Sequence, residues 1–357
     1  MSMMAKKTTL LDVARLAKVS LATVSRVANG HPRVDADIQT RVLAAARQLD
    51  LDLGKTKKSR TIAFVLGNCE FPNEFQARLL LGVEDYCGQN GWDLQFLSFR
   101  CELWPPNDEL QLPQVLARAS RPDGVVLGGV HTAGMLQALR SARIPFSVLG
   151  NNLVGDWNPE EFDAVFSDDR RGATEITEYL IGQGHREICF IGDERLPWYA
   201  RCGEAFRTTM HAAALQPLVS EIRSNDRELG YLAAKSLLAS RGSLSAVFAG
   251  NDQTAAGVYR AFQEFGVRVP EDISVVGFND TLGSILFPGL TTSREFPEEQ
   301  GRHLAEFVLR RIQEPGLPPQ QMLIPTQLIR RDSVRNVATL PPAAFSDASL
   351  AKVLERA

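Results

Sequence analysis

From residue 61 to about residue 335 short apolar runs alternate with segments of helical period. No other feature narrows the fold as far. Strands are expected at 61–66, 93–97, 124–127 and 146–149, with helices at 74–90, 110–119 and 132–141 between them. In the first of these helices Leu79, Leu80, Val83 and Tyr86 recur at helical spacing. A second series follows, with strands at 165–167, 188–191, 219–222, 246–249 and 273–277. Helices at 172–183, 206–214, 229–239 and 255–265 separate these strands. Repetition of this kind implies parallel sheets covered on both faces, with any ligand at the strands' carboxyl ends.

The first fifty residues follow a different rule. Thr9-Leu10-Leu11-Asp12 is a capping-box pattern, and Val13, Ala14, Leu16 and Ala17 form a small apolar face behind it. Ser20 can cap a second helix from Leu21 to about Asn29, and Asp35 a third carrying Ile38, Val42, Ala45 and Leu49 on one side. Three short helices, the second led by small and polar residues, describe a helix-turn-helix unit. Charge agrees with that reading. Residues 1–60 hold twelve Lys/Arg against five Asp, a balance of +7, so the remainder carries −10 of the net −3. A positive head on a negative body suits phosphate binding by one end only.

The run Thr-Leu-Leu-Asp-Val-Ala at 9–14, with Val19-Ser20, Thr23-Val24-Ser25-Arg26-Val27 and Asn29-Gly30, resembles the headpiece of the lac repressor/GalR family of bacterial transcription regulators. Gly184-His185-Arg186, the stretch 246–252, the stretch 269–278 and Leu290-Thr291-Thr292 resemble that family's sugar-binding core, in its order. The likeness spans roughly residues 8 to 335. It implies an all-α helix-turn-helix headpiece followed by a two-lobed, periplasmic-binding-protein-like α/β core with parallel sheets and several crossovers. The headpiece is expected over 1–49, a short basic linker over 50–60 and the core over 61–335. Lobe 1 would take 61–155 and 290–318, and lobe 2 would take 156–289 and 319–335. On this pattern Thr291-Thr292 and the helix at 298–313 return to lobe 1, and the segment 324–329 ends in lobe 2.

The resemblance also assigns roles. Leu21, Ala22 and Arg26 take base-reading positions, and Thr23, Ser25 and Asn29 lie nearer phosphates. Arg26 can donate two hydrogen bonds to one guanine edge, whereas Leu21 and Ala22 can only touch apolar surface such as a thymine methyl. Leu21 also suits the headpiece core. The linker lacks the family's Tyr-x-Pro-Asn-x-x-Ala-x-x-Leu hinge and is shorter by roughly one to two helical turns. Lys55, Lys57 and Lys58 either follow phosphates or belong to a flexible tether. Residues 336–357, punctuated by Pro341-Pro342, are expected to form a mobile tail on a homodimer whose interface includes Leu79, Leu80 and Val83.

Residues that end strands are the candidates for the cleft. Asn73 and Phe75 follow the first strand and Asn151 the fourth. Asn251 follows the strand at 246–249, Asn279 the strand at 273–277, and Trp198 and Arg201 precede the helix at 206. Amides, an Arg and aromatics suit polyhydroxylated rings. In the family, positions like Arg201, Asn251 and Asn279 contact the effector. Asn279 stands where Asp is usual, and Arg201 lies one residue further from Ala205-Phe206 than is common. Asn251-Asp252 also reads as a strand-to-helix cap, and Trp198 as surface packing. Asp168, Asp169 and the Gly184-His185 pair read as helix caps rather than ligand contacts.

Other classes fit less well. No P-loop, strand-linked Gly-x-Gly-x-x-Gly, Gly-x-Ser-x-Gly or His-Glu-x-x-His is present. The five histidines do not group with cysteines or carboxylates at metal-ligand spacing, so neither catalysis nor a metal or cofactor is expected. No apolar run reaches membrane length, the N-terminus has no export signal, and five scattered cysteines favour reduced thiols in the cytoplasm. The expectation is a ligand-responsive repressor of carbohydrate genes, bound as a dimer to a near-palindromic double-stranded operator. A purine or phosphorylated metabolite in place of the sugar is the alternative.

Overall fold

The computed structural model describes residues 9–28, 34–49, 51, 60–69, 73–104, 110–118, 121–240 and 244–337. The expected contacts Asn29, Lys55, Lys57 and Lys58, and the tail beyond 337, lie outside the described residues. Three helices open the chain: α1 (Leu10–Ala17), α2 (Leu21–Ala28) and α3 (Ala36–Gln48). Each has the start signal its sequence predicts. Asp12 closes the capping box on the Thr9 amide at 2.8 Å, Ser20 Oγ accepts the Thr23 amide at 3.0 Å, and Asp35 accepts the amides of Asp37 and Ile38. Val13, Ala14, Ala17, Val24, Val27, Val42, Ala45 and Ala46 pack into a small separate core. Arg41 from α3 donates to the Ala17 carbonyl at 2.6 Å, serving an otherwise orphaned acceptor at the end of α1.

The rest forms two α/β lobes. Lobe 1 is built from β1 (Thr61–Gly67), α4 (Glu74–Gln89), β2 (Asp93–Phe99), α5 (Gln114–Ala117), β3 (Gly124–Gly129), α6 (Ala133–Ser141), β5 (Phe146–Leu149), β7 (Asp163–Ser167), α11 (Pro297–Gln313) and β13 (Gln321–Ile324), with the short pair β4 (His131–Thr132) and β6 (Leu153–Val154) beside them. Its parallel sheet runs β13-β7-β5-β3-β1-β2, with α4 and α11 on one face and α6 on the other. Lobe 2 is built from α7 (Asp169–Gly182), β8 (Ile188–Ile191), α8 (Pro197–Ala212), β9 (Leu218–Val219), α9 (Asp226–Ala239), β10 (Ala246–Ala249), α10 (Asp252–Phe265), β11 (Ser274–Asn279), β12 (Thr291–Arg294) and β14 (Gln327–Ile329). Its sheet runs β14-β12-β11-β10-β8-β9, with β14 antiparallel to β12.

Several expected boundaries move. β7 pairs with β5 and β13, so lobe 1 extends through residue 167 instead of ending at 155. Thr291-Thr292 belongs to lobe 2, paired with β11. The helix at 297–313 does return to lobe 1. The expected strand at 324–329 is two strands, because Pro325 has no amide hydrogen to carry a ladder onward. Among the described residues the chain therefore passes between lobes three times, at 168, 295–296 and 325–326. Helix α8 starts at Pro197, not 206, with proline in its first turn where a missing amide costs nothing. Leu79 and Val83 are fully buried against α11 within the same protomer and cannot form a dimer surface. Leu80 is half-buried in that cluster, and Leu81, 55% exposed, is the apolar residue of α4 that faces outward.

Candidate functional site

The headpiece presents one polar face. Burial of Val24 and Val27 turns Leu21, Ala22, Ser25 and Arg26 outward together, since positions four apart lie on one side of a helix. Leu21 is 48% exposed, so it is not part of the headpiece core. Thr23 is half-buried and its hydroxyl bonds that of Ser20 at 2.8 Å, at the helix start. Arg26 has no hydrogen-bond partner among the described residues, leaving its guanidinium available.

The second site lies between the lobes, where the strands of both sheets end. It is a cleft of about 590 Å³, within the usual range of roughly 300–1,000 Å³ for small-molecule sites. Asn73, Phe75, Asn151, Asn251 and Asn279, named from strand ends, all line it, and so does Trp198. Their chemistry differs from residue to residue. Asn73 and Asn251 are N-caps, their Oδ1 atoms accepting the amides of Gln76 and Thr254. The Asn251 amide also donates to Asp226 at 2.8 Å. Asn279 stands in the left-handed region at φ 86° and folds its Oδ1 onto the Thr281 amide and hydroxyl. Trp198 both lines the cleft and packs on lobe 2, its ring 5.4 Å from that of Tyr199. The guanidinium of Arg195 lies 5.3 Å from the ring of Trp104, joining lobe 2 to lobe 1.

Arg201 departs from expectation. It does not line the cleft; the next residue, Cys202, does. The Arg201 guanidinium grips both oxygens of Asp169 at 2.7–3.1 Å and donates to the Asn151 carbonyl at 2.6 Å. The extra residue before Ala205-Phe206 rotates the side chain by one helical step, about 100°, away from the pocket and onto the interlobe crossings. There it joins a buried network. Asn151 donates to Asp169 at 2.9 Å and exchanges two bonds with the Ser167 backbone, and Gln300 donates to the Ser167 hydroxyl. Asp168 caps α7 as its position suggests, but Asp169 is this network's charged centre. Gly184 supplies the left-handed turn after α7. His185 itself is fully buried, bonded to Ser245 and the Arg335 carbonyl, and its pKa falls to about 4 through burial.

Residues that strand-end reasoning did not reach also line the cleft: Gln76, Arg100, Asp226, Arg227, Gln253 and Glu295. Glu295 directly follows β12 and Arg100 directly follows β2, so the same rule applied to those strands finds them. Burial pushes the Glu295 carboxyl up to about 7, with Asp169 adding to the rise, while the Ser167 hydroxyl and Arg201 oppose it. Asp252, within α10, is buried and also raised to about 7 by desolvation, though it accepts from Thr292 and the Leu282 amide. Among the described residues no three His, Cys, Asp or Glu side chains group as metal ligands, and no helix is long and apolar enough to cross a membrane.

Residues 9–51 match the family of bacterial regulatory proteins described as the lacI family, and residues 177–334 match a periplasmic binding protein-like domain. The Ribose operon repressor of Escherichia coli strain K12 is 30% identical over 340 residues, covering 91% of this chain and 99% of that protein. The chain belongs to the lacI family. The HTH-type transcriptional repressor PurR of Vibrio cholerae is likewise 30% identical over 345 residues, with 92% and 98% covered. Among solved structures of the family, a CelR–cellobiose complex superposes with a TM-score of 0.68 at 26% identity, covering 92% of this chain and all of that one. A regulator from Enterococcus faecium with bound ribose gives 0.65 at 25% identity, with 77% and 99% covered. This lacI-family chain is a DNA-binding transcriptional regulator, and the relatives it matches are repressors, not enzymes.

Proposed function

We propose that this protein is a cytoplasmic, homodimeric repressor of carbohydrate-utilisation genes that binds a near-palindromic operator and responds to a sugar or sugar derivative in the interlobe cleft. The observation that carries the reading is the outward face of α2, where Leu21, Ala22, Ser25 and Arg26 are exposed. Arg26 reads a guanine edge; Thr23, Ser25 and, beyond the described residues, Asn29 and the linker lysines Lys55, Lys57 and Lys58 meet the backbone. Dimer symmetry sets two such faces about one helical turn apart on DNA. Asn73, Phe75, Trp198, Asn251 and Asn279 bind the effector, with Asn151 and Arg201 acting on lobe geometry through Asp169.

Selection of bound fragments from a random duplex library, followed by fluorescence anisotropy on the winning site, tests this. A palindromic consensus is expected, and Arg26→Ala should cost about 1–3 kcal/mol there and relax preference at one base pair per half-site. Equal loss on every sequence would assign Arg26 to phosphate, and no selected consensus would defeat the repressor reading.

A further inference from the structure

The polar groups of the cleft are not balanced between donors and acceptors. Four amides that line it have their oxygens already held, which leaves their NH2 groups as the atoms they can offer. The Oδ1 of Asn73 accepts the Gln76 amide at 3.2 Å, and the Oε1 of Gln76 accepts the Gly129 amide at 2.8 Å. The Oδ1 of Asn279 accepts from Thr281 twice, at 2.9 and 3.3 Å, and the Oε1 of Gln253 accepts the Arg227 guanidinium at 2.5 Å. An N–H in front of each oxygen fixes the orientation, so none of the four can flip to offer an acceptor. Among the described residues nothing accepts from their NH2 groups. Arg100 on lobe 1 and Arg227 on lobe 2 add further N–H donors, one from each side of the cleft.

The carboxylates of the cleft each already hold at least one donor. Both oxygens of Asp169 serve Arg201, and one also serves Asn151. Asp226 accepts the Tyr199 hydroxyl and the Asn251 amide, each at 2.8 Å. Glu295 accepts from Ser167, and burial lifts its carboxyl to about 7, so it carries only part of a negative charge at neutral pH. A sugar hydroxyl brings one donor with its acceptor lone pairs, and in this cleft it meets more N–H groups than uncommitted acceptors for its own hydrogen. A carboxylate or phosphate accepts only, and its charge matches Arg100 and Arg227.

We infer that the effector is an anionic sugar derivative, a sugar acid or a sugar phosphate, whose charged group is held between Arg100 and Arg227 and the amide donors of Gln76, Gln253 and Asn279. This rests on the cleft being the effector site of a repressor. Lobe closure around such an ion brings the two arginines, one per lobe, onto the same charge.

Thermal unfolding of the full-length protein, at fixed ionic strength, tests the inference with matched probes. These are D-ribose against D-ribonate and D-ribose 5-phosphate, and D-glucose against D-gluconate and D-glucose 6-phosphate. At least one anion should raise Tm by several degrees while its neutral parent does not, and which arm responds separates carboxylate from phosphate. Arg100→Gln and Arg227→Gln, both at exposed positions, should each weaken that anion at least tenfold without changing the Tm of the unliganded protein. The inference is overturned if a neutral parent stabilises as well as its anion, if no anion acts, or if the effect survives both substitutions. Operator binding measured in parallel separates the two failures. A neutral sugar that alters operator affinity sinks the anion and leaves the repressor standing, whereas absence of any sequence-preferring DNA binding sinks the repressor itself.

Discussion

At the scale of single residues, Arg201 and Glu295 carry the electrostatic weight of the hinge. The Arg201–Asp169 pair is largely sheltered, with side-chain exposures of 23% and 6%. Removing the cation leaves a buried carboxylate without its counter-charge, which is far more costly than losing an exposed pair. Arg201→Ala is expected to destabilise the protein by about 3 kcal/mol, read from urea unfolding. Arg201→Lys should recover only part of this, since an ammonium cannot reproduce the two-pronged grip. A change under about 0.5 kcal/mol in the alanine variant would show that the pair adds nothing. Glu295 gives a pH signature. Its folded-state pKa of about 7 lies above the ordinary 4.5, so the native state holds the proton more tightly. Native stability therefore falls through this group as pH rises from 4.5 to 7 and does not change further above 7. Glu295→Gln mimics the protonated form, so its stability relative to wild type should rise across that window and then level off. A difference independent of pH would remove Glu295 as the source.

At the scale of elements, the closest packing in lobe 1 is between α4 and α11. A Cβ built on Gly301 would lie 2.0 Å from the Leu79 carbonyl oxygen, and one on Gly82 equally close to that of Glu298. The two glycines let the helix backbones meet, and backbone cannot move aside as a side chain would. Gly301→Ala should cost roughly 1–3 kcal/mol by overpacking, despite alanine's better helix propensity. Calorimetry showing a stabilised variant would mean the helices can part freely. Helix α11 follows one of the three crossings, so separation here would also disturb the segment holding Glu295. The recognition face of α2 has no such dependence; it is built by its own cap and two buried valines.

At the scale of the whole molecule, the proposed effector response needs lobe movement to alter the spacing of two headpieces, and hence a dimer. Ile285 and Phe287 stand 74% and 95% exposed on lobe 2, where an isolated chain leaves large apolar side chains facing water. Together with Leu81 on lobe 1 they are the apolar surface we propose for a second copy. Phe287→Asp touches nothing that holds the protomer together, so the fold should be retained. Sedimentation is expected to show the dimer weakened at least tenfold, with operator affinity falling alongside. An unchanged dimer in that variant would place the interface elsewhere.

Much of the molecule was determined by the sequence alone, because much of it is decided locally. The caps at Thr9, Ser20 and Asp35 act over three residues, and the strand–helix alternation is a matter of period, so the headpiece and the class of the core are legible without coordinates. Strand ends likewise pointed to five of the cleft residues, and the loop expected before the helix at 206 to a sixth, Trp198. Tertiary structure alone decided where lobe 1 ends, which sheet receives Thr291–Arg294, and that Arg201 faces the interlobe crossings while Cys202 faces the cleft. It also decided which polar atoms remain available: the Gln76 oxygen is held by the Gly129 amide and the Arg201 guanidinium by Asp169, partners 53 and 32 residues away. Sheet pairing and side-chain saturation depend on groups brought together from distant parts of the chain, and local periodicity carries no record of that.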